Sequence, residues 1–199
     1  MPKPSKAEVK NDIIDNAAGL FAKHGFEHTS VQQIADAVRC SKTGLLYHFP
    51  SKQALYDAAI KTTHGHALAL LASVKHIAPG VERDRAVIEG SLQFHYDWPG
   101  VSSFGNWLVA SCEHADPQLI EIGLILYESL DIDVKLPNLE RVVRVTSAFT
   151  GLGTTALQAV RANVTREWRP FIIAAAMDAL GHKDKKVRET SLQKASAKR

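Results

Sequence analysis

Lys42, Thr43, Gly44, Tyr47, His48 and Lys52 lie on one short stretch of chain, and each offers a group that a nucleic-acid duplex accepts. The Lys42 ammonium donates to guanine acceptors or to phosphate, and Thr43 brings a hydroxyl together with a methyl that suits thymine. Gly44 has no Cβ, so a helix backbone carrying it approaches a groove closely. Tyr47, His48 and Lys52 carry donors suited to phosphate oxygens on either side of that groove. Ser30, at the start of the preceding helix, adds backbone N–H groups that attract a further phosphate. Any one of these residues taken alone is equally a helix cap or a solvated surface group. Together on one short helix they favour DNA.

No other constellation assembles into chemistry. Ser111, Cys112, Glu113 and His114 put a hydroxyl and an imidazole three apart, as a nucleophile and its base stand, but no oxyanion-hole or nucleophile-elbow pattern accompanies them. His64 and His66 are two apart, so on a helix they point in different directions and do not chelate one metal. Gly151-Leu152-Gly153 follows no strand and is no phosphate loop. No catalytic residue, metal ligand or cofactor is expected. The two cysteines, Cys40 and Cys112, exclude a disulfide scaffold and fit a reduced, cytoplasmic setting.

The elements that position the Ser30–Lys52 residues are helical. Ile13, Ala17, Leu20 and Phe21 form one buried face, and the helix should stop near His24 with Gly25 as its C-terminal glycine. Ser30 with Gln33 reads as a capping box, followed by the apolar face Val31, Ile34, Ala35 and Val38. Arg39 and Cys40 turn the chain, and Ser41 caps a third helix that ends near Phe49-Pro50. Leu45 should point inward and pin this helix to Val31, Ile34 and Val38. Two short helices joined by such a turn describe a helix-turn-helix, whose second helix enters the major groove.

Ser51 caps a fourth helix running to about His76. Further helices are expected over about 82–96, 102–114, 117–130, 138–163 and 165–180, punctuated by Trp98-Pro99-Gly100, Asp116-Pro117, Leu136-Pro137 and Gly181. Nothing alternates as a strand would. The fold expected is all-α, with an N-terminal three-helix DNA-binding domain over residues 1–52, a helical body over 53–180 and a basic tail over 181–199.

Charge follows the same division. Residues 1–52 hold 7 Lys/Arg against 5 Asp/Glu, residues 53–180 hold 10 against 14, and residues 181–199 hold 7 against 2. A polyanion should therefore meet the ends of the chain, although such asymmetry also serves solubility. Neither a membrane-spanning run nor the apolar core of a signal peptide is visible, so no membrane partner is expected.

The stretch from Ile13 to Leu55 resembles the DNA-binding domain of the TetR family of bacterial transcriptional regulators. The matching features are Ala17, Leu20-Phe21, Gly25-Phe26, Thr29-Ser30-Val31, Ile34-Ala35, Val38, Ser41-Lys42, Leu45, Tyr47-His48-Phe49 and Ser51-Lys52. They cover about the first quarter of the chain. The resemblance implies base contacts from Lys42, Thr43, Gly44, Leu46 and Tyr47, and phosphate contacts from Tyr47, His48 and Lys52. Many members carry an aromatic where this chain has Leu46. It further implies a homodimer on operator DNA that represses a promoter and lets go when a small-molecule effector enters the C-terminal body.

Residues suited to both of those tasks are present. Phe149, Leu152, Thr155, Ala156, Ala159, Phe171, Ile172, Ala175 and Ala179 mix small and large apolar groups on the last two helices, as a dimer face or as the subunit's own core. Phe94, His95, Trp98, Phe104, Trp107 and Tyr127 gather in the middle third, with His95, Asn106 and Cys112 as the polar groups of an effector pocket. The same aromatics at helical spacing also serve as ordinary core. Residues 81–140 hold 11 acidic groups against 3 basic ones, which suits a cationic effector or a solvated face. Two other readings stand beside this one: an enzymatic body tethered by the helix-turn-helix, and a regulator or activator that needs no ligand.

Overall fold

In the computed structural model, residues 5–111 and 117–182 are described. Among them all regular structure is helical: α1 (Lys6–His24), α2 (Val31–Ala37), α3 (Lys42–His48), α4 (Lys52–Val74), α5 (Val81–Asp97), α6 (Pro99–Ser111), α7 (Pro117–Ser129), α8 (Leu139–Arg161) and α9 (Thr165–Ala179). The all-α expectation holds, and most helix ends fall within a few residues of where capping and glycine signals put them. The exception is α6. Trp98-Pro99-Gly100 reads as a break, yet Pro99 is the first residue of the helix. Proline suits that position, because its ring presets the helical φ and the N–H it lacks has no intrahelical partner there.

The chain forms two compact units, Met1–Leu68 with Asp97–Gly123 and Ala69–Tyr96 with Leu124–Arg199. The first unit thus extends beyond residue 52 to take in much of α4 and the whole of α6. Its helices are closed by local chemistry. Ser5 and Glu8 form a capping box on α1: the Glu8 amide donates to Ser5 Oγ at 3.2 Å, and the Ser5 amide donates to Glu8 Oε2 at 2.7 Å. The far end of α1 stops at Gly25, whose φ of 82° is reached without strain only by glycine and whose amide returns to the Phe21 carbonyl.

Ile13, Ala17, Ala18 and Phe21 form the buried face of α1. Phe21 packs against Phe26, Tyr56 and Phe104 at ring separations of 5.5, 6.1 and 5.9 Å, and Phe104 stacks on Trp107. This cluster ties α1, α4 and α6 together. The crossing of α1 and α6 is close. A Cβ on Gly100 would stand 1.8 Å from the Asp15 carbonyl oxygen, so only glycine fits. Beside it, the Val101 amide donates to Asp15 Oδ1 at 2.9 Å.

The second unit is built around Leu70, Val74, Val87, Ile88 and Leu92 from α4 and α5, packed with Leu152, Ala156, Ile172 and Met177 from α8 and α9. It also buries charge. Asp84, 3% exposed, pairs with Arg141 Nη2 and His182 Nε2, each at 2.6 Å. Arg83, also buried, donates to the carbonyls of Ser129 and Glu128, both at 2.8 Å, and so closes the C-terminal end of α7.

Candidate nucleic-acid interface

The helix-turn-helix is assembled from the caps upward. The Ser30–Gln33 box closes reciprocally, with the Ser30 amide donating to Gln33 Oε1 at 2.7 Å and the Gln33 amide to Ser30 Oγ at 3.1 Å. Arg39 turns the chain with a φ of 53°. Ser41 Oγ then accepts the Gly44 amide at 3.0 Å and starts α3. Leu45 and Ile34 are both fully buried, which fixes the roll of α3. That roll decides what faces outward: Lys42 and Thr43 are exposed, Gly44 and Leu46 half-buried, and Tyr47 is 81% exposed with its ring against His48.

His48 is half-buried and lines a groove with Glu8, Asp12 and Cys40. Ser30 is exposed at the start of α2, its hydroxyl engaged in the capping box.

Lys52 behaves differently from Lys42. Its ammonium donates to the Phe26 carbonyl at 2.6 Å and lies 4.2 Å from the centre of the Phe26 ring. It therefore holds the connection between α1 and α2 against the start of α4. Nothing in the local sequence foretells this, because the partner lies 26 positions away.

The residues expected around an effector are divided between the two units. Phe94, His95 and Tyr127 belong to the second unit, where Phe94 is buried and Tyr127 packs against the core. Trp98, Phe104, Asn106 and Trp107 belong to the first. There Phe104 is fully buried, Trp98 and Trp107 are half-buried, and Asn106 is exposed. Cys112, with the Cys112–His114 part of the nucleophile-like run, lies outside the described residues, as does the tail from Lys183.

Two histidines that drew no role from the sequence stand in the first unit instead. His64 Nε2 is 3.2 Å from Glu121 Oε1. Burial pushes the His66 imidazole below its ordinary range, with Asp97 opposing the shift. Among the described residues no group of three or more His, Cys, Asp or Glu is placed to hold a metal, and no helix is long and apolar enough to cross a membrane.

On the last two helices, Leu152, Ala156, Ala159 and Ile172 are buried in the second unit's own core. Phe171 is 54% exposed, and with Thr155, Ala175 and Ala179 it lines an apolar groove completed by Trp168 and Gly151. Phe149 is partly buried against the core.

Residues 13–59 match the family described as bacterial regulatory proteins, tetR family. Over 53 residues the chain is 42% identical to the biofilm operon icaADBC HTH-type negative transcriptional regulator IcaR of Staphylococcus aureus (strain Newman), a match covering 27% of this chain and 28% of IcaR. It is 34% identical over 93 residues to the HTH-type transcriptional regulator RutR of Escherichia coli (strain K12), covering 47% of this chain and 44% of RutR. The chain thus spans less than half the length of these relatives. A crystal structure of a TetR-like transcriptional regulator from Rhodococcus sp. RHA1 shares the fold, with a TM-score of 0.52 at 21% identity over 91% of this chain and 100% of that one. Residues 13–59, which hold the helix-turn-helix, are thus similar to the DNA-binding segment of the tetR family of bacterial regulatory proteins.

Proposed function

We propose that this protein is a homodimeric, sequence-specific DNA-binding transcriptional regulator, acting in the cytoplasm as a repressor that a small molecule releases from its operator. The observation that carries this reading is α3. It is a short helix rolled by a buried Leu45 so that Lys42, Thr43 and Tyr47 project together into solvent. Such a helix inserts its N-terminal residues among base edges, while neighbouring donors meet the backbone. IcaR, named as a negative regulator, supports the repressing sign.

A duplex selected by the protein from a random library tests it. Lys42→Ala and Tyr47→Ala should each weaken binding to that duplex by about 1–3 kcal/mol, the range of a specific base contact. Lys52→Ala should lower the melting temperature as well, since its ammonium secures the Phe26 carbonyl. Selection of no preferred duplex, or unchanged affinity in both α3 variants, would sink the assignment.

Release by a ligand draws on α6, where Trp107 stacks on Phe104 at a ring separation of 6.0 Å. A half-buried indole beside a buried ring suits an apolar or cationic small molecule. The ligand must bind the DNA-incompetent form more tightly, because equal affinity for both forms shifts nothing. An inducing compound should therefore quench or shift Trp98 or Trp107 emission. Trp107→Ala should weaken that compound while sparing the duplex. An inducer that leaves both indoles untouched and binds Trp107→Ala normally would put the pocket elsewhere.

A further inference from the structure

Asp15 lies on α1, less than two turns before the buried Phe21, and is half-buried where Asp12 is exposed. Its Oδ1 accepts the Val101 amide at 2.9 Å, and the Gly100 amide also favours its charged form. Both are first-turn amides of α6, which have no partner within the helix and are ordinarily capped by a residue just before it. Here the cap comes from another helix, 86 positions away. The backbones meet at the same point. Gly100 is so close to Asp15 that a Cβ would overlap its carbonyl, and a Cβ on Gly19, one turn on, would touch the Gly100 Cα at 3.4 Å. Any slide or tilt of α6 against α1 must break the cap.

We propose that Asp15 is the positioning residue of the DNA-reading helices: its carboxylate, by capping α6, sets how α1 sits on α6, and α1 carries α2 and α3 with it. The inference rests on the DNA-binding reading above. Burial raises the Asp15 pKa, the two amides oppose the shift, and Asp12 adds to it. A carboxyl whose pKa is raised on folding stabilises most when protonated, and that contribution is lost as pH rises through its folded value. Burial thus disfavours the charged carboxyl, while that charge strengthens both amide contacts.

Coupling of this kind is reciprocal: if the cap favours DNA binding, DNA must favour the cap. The test uses the full chain, the duplex it selects from a random library, and temperatures well below melting. Asp15→Ala, folded by circular dichroism, should bind that duplex at least about tenfold more weakly, and Asp15→Asn, which keeps one acceptor, should recover to within about threefold. In the parent protein the duplex should slow hydrogen exchange at the Val101 amide, and in Asp15→Ala it should not.

Full affinity in folded Asp15→Ala would make the cap structural only and overturn the proposal. So would a folded Asp15→Asn as weak as Asp15→Ala, or Val101 exchange indifferent to the duplex in the parent. Should Asp15→Ala not fold, Asp15→Asn and the parent's Val101 exchange decide. A parent protein that selects no duplex removes the DNA-binding reading itself, an outcome distinct from duplex binding without a response at Val101.

Discussion

Asp84→Ala should lower the unfolding free energy by about 3–5 kcal/mol, the range seen when one partner of a buried ion pair is removed. Asp84 is 3% exposed and is met by the Arg141 guanidinium and the His182 imidazole, at 2.6 Å each. Without the carboxylate, Arg141 keeps only a long contact of 3.4 Å to the Leu130 carbonyl. Its guanidinium is then left largely unpaired in a partly buried site, and leaving a charge in that condition dominates the loss. Denaturant titration measures the effect directly. Asp84→Asn, which still accepts a hydrogen bond, should lose less. A loss below about 1 kcal/mol for Asp84→Ala would mean that water enters the site and the pair behaves as a surface pair.

Phe171→Glu should dissociate the proposed homodimer, weakening association by roughly 2–4 kcal/mol, as for a buried aromatic hot spot. Phe171 is 54% exposed on α9 beside Trp168 and a groove of Ser147, Gly151, Thr155, Ala175 and Ala179, small residues that let a second copy's helices approach. Val143 and Leu139 continue the exposed apolar row along α8, at 64% and 74% exposure. A carboxylate placed there would be desolvated on association with nothing to pair it. Because Phe171 does not belong to the buried core, the variant's melting temperature should change far less than its mass in sedimentation equilibrium. A parent that is monomeric at micromolar concentration, or a variant that stays dimeric, would exclude this face.

The sequence signals that proved readable were local ones. Ser30 with Gln33, Ser41 before Gly44 and Gly25 after His24 each act within four residues, so residue type and spacing identify them. The roll of α3 followed from the apolar Leu45 and so gave the outward set. What sequence spacing does not carry is contact between distant positions. The Lys52 ammonium meets the Phe26 carbonyl 26 positions away and Asp15 caps α6 86 positions away, and neither contact is written in local spacing. Leu152 and Phe171 illustrate the same limit. Both are large and apolar on adjacent helices, but one fills the core and the other faces out, and periodicity over small residues does not separate the two.

The discontinuity of the first unit has a consequence for how the chain is made. The unit leaves at Leu68 and resumes at Asp97, and the ring that covers Phe21 from α6 is Phe104. During synthesis, the helix-turn-helix emerges from the ribosome with that apolar face open. It stays open until α5 and the first half of α6 have followed. Closing such a loop delays the long-range contacts and leaves sticky surface exposed in the interval. A fragment ending at Lys52 would keep that face open permanently, so the three N-terminal helices are the early-made half of a body that a later helix completes.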